Sequence, residues 1–195
     1  SMLTLPVMMM MGMPADIANG TNRVGVLLQS LTAMRGFDKE NKLESTAILP
    51  MLVPTLVGSL VGAIAASILP VMLLKPILLV TMILMALVML VKPDMVAPAQ
   101  GTQAHKLRDK PSAVLGLFLA GVYGGFIQAG VGFILLAALA GGLRYDLVRA
   151  NALKTVATAV FSGLALAVFV VMGQVSWIPG LVLAVGSMIG ATLSV

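Results

Sequence analysis

Residues 121–139 read GVYGGFIQAGVGFILLAAL. Apart from Gln128 and the Tyr123 hydroxyl this stretch is apolar, and no charged residue lies between Pro111 and Leu143. It has the length and composition of a membrane helix. Yet Gly121, Gly124, Gly125, Gly130 and Gly132 interrupt it. Glycine permits backbone conformations that other residues resist, so a helical break is expected here. A break frees backbone N–H and C=O groups. In a bilayer these must be buried in protein or line a cavity. The expectation is a glycine-broken helix, cavity-lining from Gly124 to Gly132. Gly121-x-x-x-Gly125 fits close helix packing as well.

The rest of the chain agrees with a membrane setting. Of its 195 residues, 59% are hydrophobic and 10% charged, with mean hydropathy +1.08. Soluble domains carry about 25% charged residues. Charges are also absent from Ser45 to Leu74 and from Thr155 to Val195, and all seven acids lie between the apolar blocks. Alternating strands of about ten residues are missing, which excludes an outer-membrane barrel. The fold class is therefore an all-α polytopic membrane protein.

Several segments follow from this pattern. Residues 2–12 are a short apolar piece, residues 13–23 are polar and glycine-rich, and a helix begins over 24–35. Full spans are expected over 46–68, 77–91 and 152–172, with a last one after Pro179. Pro70 and Lys75-Pro76 read as a tight turn.

VGSLVGAIAAS (57–67) matches VGSMIGATLSV (185–195), and DIANGTNRVGVLL (16–28) matches DLVRANALKTVAT (146–158) more loosely. This predicts two related helical repeats. Residues 1–92 are the first, 93–112 a polar, cytoplasmic linker, and 113–195 the second. Each copy lacks an element that the other has, which makes the chain read as a fragment cut at both ends. Gly58-x-x-x-Gly62 and Gly186-x-x-x-Gly190 read as packing motifs.

The basic residues suggest that the repeats are inverted. Arg23 stands against Arg144, Arg149 and Lys154 in one pair of equivalent loops. Arg35, Lys39 and Lys42 stand against no basic residue at 174–178 in the next. Opposite bias at equivalent positions is the mark of inverted repeats, provided that residues 113–141 enter and leave by one face.

Asn22 and Asn151 fall at matched positions. They either cap helices or face one central site. Lys154 lies three residues after Asn151, on the same helical face. It either snorkels to the interface or supplies charge to an anion. Gln128, between the two glycine pairs, can both donate and accept hydrogen bonds. Asp16 and Asp146 read as helix caps or solvated loop acids.

GVYGGFIQAGVGFILLAAL followed by RANALK (149–154), with LTLPVMMMMGMPADIANGTNR (3–23) upstream, resembles the TauE/SafE family of sulfite and organosulfonate exporters. The resemblance implies a secondary transporter of a small anion, sulfite or another sulfur oxyanion, in the bacterial inner membrane. Thr21, Asn22, Gln128, Gly124, Gly125, Gly130, Gly132, Asn151 and Lys154 are its candidate substrate-binding residues. The sequence departs from the family pattern at Gln128, where small residues are usual, and in lacking the first glycine-rich break.

No catalytic role is expected: HExxH, P-loop and G-x-S-x-G motifs are all absent. With one histidine (His105), no cysteine and methionines clustered at 8–11 and 13, neither a metal nor a cofactor is expected. An ion gradient is the expected energy source. The expected partners are the lipid bilayer and a small anion. Nucleic acid is excluded because the basic residues sit at membrane boundaries. Self-association is left open. A facilitative anion pore and a membrane scaffold without substrate are the competing readings.

Overall fold

The computed structural model describes residues 3–39, 45–91, 105, 107 and 110–194. The described residues form eight α-helices and no strand: α1 (Thr4–Met10), α2 (Ala15–Lys39), α3 (Ser45–Ile68), α4 (Val71–Val91), α5 (Pro111–Phe126), α6 (Val131–Leu136), α7 (Leu147–Val171) and α8 (Trp177–Ser194). A π-helical turn, Ala137–Gly142, prolongs α6. Ala47–Ile68 and Leu147–Val171 are long and apolar enough to cross a membrane, and shorter apolar helices accompany them. Large apolar side chains such as Met72, Ile178 and Val182 lie exposed on the outside, as lipid-facing helices require.

α2 and α7 cross at the centre and run in opposite directions. Thr21 near the start of α2 meets Ser176 beyond the end of α7, and Leu27 lies beside Gly163. Each also has a parallel companion. α8 follows α2, with Val24 against Gly180 and Gly25 facing Leu183. α3 follows α7, where Ser59 donates to the Phe161 carbonyl (3.1 Å) and Gln174 to the Ser67 carbonyl (2.9 Å).

α3 and α5 make a parallel glycine seam. A Cβ at Gly58 or Gly62 would collide with the Phe118 or Val122 carbonyl of α5. One at Gly121 or Gly125 would collide with the Thr55 or Ser59 carbonyl of α3. Small residues let the backbones meet, which is how helices associate without a hydrophobic drive between them. The similar Gly186-x-x-x-Gly190 behaves differently. Nothing lies within 4 Å of a Cβ at either glycine, and Val182, Val185 and Ile189 around them are exposed. The packing expected for that pair is not made among the described residues. A glycine ridge becomes a seam only where a second backbone reaches it.

α5 and α6 form a hairpin. Gly116 sits beside Ala138, Gly142 beside Ala113, and the His105 N–H donates to the Leu143 carbonyl (2.9 Å) at its open end. The run therefore enters and leaves on one side, as the charge argument required. Its tip, residues 127–130, is buried.

Three segment boundaries differ from the sequence reading. α2 begins at Ala15, so the polar stretch 13–23 is largely helix. Its polar residues Asn19, Thr21, Asn22 and Arg23 face inward, where each bonds to another chain segment. Lys75-Pro76 is no turn either: Pro76 lies within α4, which starts right after Pro70. Pro76 is the sixth residue of α4, so it leaves the Met72 carbonyl without its intrahelical donor, a loss that membrane helices tolerate. α7 starts at Leu147, five residues before the expected span, because the Asp146 side chain accepts from the Val148 and Arg149 N–H groups. Asp146 is therefore the N-cap, as read, and Asn151 is not.

Candidate anion site at the hairpin tip

The break in the glycine-rich run falls at Ile127–Gly130. Gln128 and Gly130 both adopt left-handed backbone, φ +67° and +77°. Glycine takes this conformation at no steric cost, whereas glutamine takes it only when the surroundings hold it. Here the Tyr123 hydroxyl donates to the Ala129 carbonyl (2.6 Å), and the Gln128 amide donates to the Ser162 hydroxyl of α7 (2.5 Å).

The end of α5 leaves carbonyls that no next turn can satisfy. α2 satisfies them from across the fold. Arg23 Nη1 donates to the Gly124 carbonyl (2.7 Å) and Nη2 to the Gly125 carbonyl (2.5 Å). Asn19 donates to the Phe126 carbonyl (2.8 Å). Three successive carbonyls are thus closed by one face of α2. The Arg23 guanidinium also lies 5.1 Å from the centre of the Phe169 ring, a cation–π distance. A positive charge beside a helix C-terminus is favourable, so helix end and buried cation stabilise each other. One residue earlier, Asn22 accepts from the Thr4 hydroxyl of α1 (2.7 Å). The Asn19, Asn22 and Arg23 face therefore holds both α1 and the hairpin tip.

A cavity of about 780 Å³ lies beside this tip. Its walls come from Thr4 of α1, Gln29, Ser30 and Phe37 of α2, residues 128 and 130–133 of the hairpin, and Asn151, Lys154, Thr155 and Thr158 of α7. Lys154 Nζ donates to Asn151 Oδ1 (2.5 Å), and its stem passes Gly132, where a Cβ would lie 3.4 Å from Cδ. Lys154 is the one charged residue among the described lining residues. Its ammonium keeps two further donors after the bond to Asn151.

The expected site residues divide. Gln128, Gly130, Gly132, Asn151 and Lys154 line the cavity together. Asn22 stands behind Thr4, which lines it. Thr21 lies away from it and accepts from the Ser176 N–H (2.9 Å). Gly124 and Gly125 are still helical and lie against Phe161 and Ser59 rather than the cavity. Thr4, Ser30, Thr155 and Thr158 were not singled out from the sequence. Helical spacing from residues already chosen would have found two of them: 151, 154, 155 and 158 share one face of α7.

Residues 1–195 match the family described as "Sulfite exporter TauE/SafE". The chain belongs to that family. It is a multi-pass membrane transporter family rather than a family of enzymes, and the lipid bilayer is its setting. A "Probable membrane transporter protein" of Haemophilus influenzae is 28% identical over 195 residues, covering 98% of this chain and 74% of that protein. No solved structure matches. The resemblance read from the two glycine- and asparagine-bearing segments is thus borne out.

Proposed function

We propose that the chain is a secondary transporter that carries a small anion, sulfite or a related sulfur oxyanion, through the cavity at the hairpin tip. The observation that carries this reading is Lys154, the one cation among the described lining residues, held by Asn151 in a cavity lined by hydroxyls. No carboxylate stands among its described lining residues to repel an anion. At the start of α6 the Val131 and Phe133 N–H groups are taken by the Gln128 and Gly130 carbonyls, so Lys154 is the donor that faces the cavity with capacity to spare.

The exchange of partners between α2 with α8 and α7 with α3 supports two inverted repeats, 1–92 and 113–195, around the linker 93–112. The antiparallel crossing of α2 and α7 supports it too. Arg35 near the end of α2, Lys110 before α5, and Arg144 and Arg149 at the start of α7 then share one face. By the positive-inside rule that face is cytoplasmic. The cavity lies in this half. The opposite half is closed by Thr21 with Ser176, Gln174 with Ser67, and Arg23 on Phe169. Alternating access would open that seal and close the cavity mouth.

Two measurements test the reading. In proteoliposomes, Lys154→Met should lower sulfite flux at least about tenfold while Lys154→Arg retains more, because a charge-assisted hydrogen bond contributes about 1.5–3 kcal/mol. Equal flux in the wild type and Lys154→Met would remove the anion role. Single cysteines at positions 40 and 176 should react from opposite sides of the membrane. Labelling of both from outside would sink the inverted arrangement.

A further inference from the structure

Gln128 combines three features that close packing alone does not require. It holds left-handed backbone in a run rich in glycine, it is 1% exposed, and it lines the cavity. Its amide Nε2 is committed to Ser162 on α7. Its Oε1 is buried and has no hydrogen-bond partner. A buried acceptor without a partner is costly, by about 1–3 kcal/mol. Strained backbone at a ligand-facing position points the same way.

The charges around the tip narrow what Oε1 can receive. Lys154 is the only titratable group among the described lining residues. Behind the tip, Arg23 is held on the Gly124 and Gly125 carbonyls, and the Tyr123 hydroxyl is committed to Ala129. The cavity thus offers one positive charge and, in Gln128 Oε1, a buried acceptor that no protein donor reaches, while the Thr4, Thr155 and Thr158 hydroxyls already donate within the protein. A fully deprotonated oxyanion brings only acceptors and would leave Oε1 facing a lone pair. A dianion would also bring one charge more than Lys154 balances.

We infer that the cavity takes a singly charged oxyanion that still carries a hydrogen, of the hydrogen-sulfite kind, and that Gln128 Oε1 accepts that hydrogen. This rests on the transport reading above and adds to it the protonation state and the residue that reads it. Lys154 takes the charged oxygens, and Gln128 takes the hydroxyl. The amide geometry explains why a side chain occupies a position that glycine would fill with less strain.

The test uses the protein in proteoliposomes at mildly acidic pH, where sulfite is mostly the hydrogen-bearing monoanion. Its flux is compared with methanesulfonate, a monoanion of the same head group with no acidic hydrogen, and with sulfate, a dianion. Wild type should prefer hydrogen sulfite over methanesulfonate by about tenfold, the scale of one hydrogen bond to a buried acceptor. Sulfate should be slowest. In Gln128→Met the preference of hydrogen sulfite over methanesulfonate should collapse toward parity. Equal wild-type fluxes of hydrogen sulfite and methanesulfonate, or faster sulfate, overturn the inference and leave the transport reading standing. So does a Gln128→Met protein that loses both monoanions in the same proportion, since Gln128 would then act as a donor or as packing only. Absence of flux for all three anions overturns the transport reading, and this inference with it. The wild-type comparison needs no variant, so a misfolded Gln128→Met protein would not protect the idea.

Discussion

Replacing Arg23 with alanine is expected to lower the melting temperature in detergent by roughly 10 °C and to abolish transport. The guanidinium closes two carbonyls at the end of α5. Each costs about 1–3 kcal/mol when buried and unpaired. Loss of the stacking on Phe169 adds to this. Removing the buried charge returns part of the cost, so the net loss is about 2–4 kcal/mol. For a chain of this size that is of order 10 °C. Arg23→Lys should fall between. An ammonium keeps the charge but not the fork that reaches two carbonyls at once. A melting curve for Arg23→Ala that overlays the wild type would show that the clamp does not hold the tip. The transport loss follows from geometry: the tip carries Gln128 and Gly130, so a displaced tip moves the cavity wall.

The second large effect is a contrast between two glycines in similar sequences. Gly62→Val should destabilise the chain by about 3 kcal/mol or more, while Gly190→Val should change its melting by about 0.5 kcal/mol or less. A Cβ at Gly62 meets the backbone carbonyl of Val122 and the Phe126 N–H nitrogen, neither of which can move aside as a side chain can. The helices must part, and the hairpin with them. At Gly190 a Cβ meets nothing within 4 Å. Thermal unfolding of the two variants side by side decides the matter. Equal sensitivity would mean that the α3–α5 seam is not the tight contact described.

Much of the membrane reading was legible in the residues. Charge-free runs and boundary charges give helices and their setting, because lipid offers no partner to an open backbone. The broken run at 121–139 was visible for the same reason, and glycine marked where it yields. Asn151 and Lys154 could be paired from spacing alone, since helical periodicity is local. The family, too, was carried by short local motifs.

What spacing could not decide was which neighbour each polar or glycine residue would meet. Arg23 looked like a loop cation near a span. It is a buried clamp because α5 ends beside it, about a hundred positions away in the chain (|i−j| 101 to Gly124). Asn22 and Thr21 carried the same sequence credentials as Asn151, yet one holds Thr4 and the other closes the far side against Ser176. Gly125 and Gly130 stood in one cluster and separated into seam and hinge. Gly58 and Gly186 share a motif, and among the described residues only Gly58 meets a second backbone. Helices, membrane setting and break were legible in the residues, because these follow from desolvating each residue's own backbone. Packing roles required the tertiary structure, because a carbonyl collision or a cross-fold hydrogen bond exists only once two distant segments lie side by side.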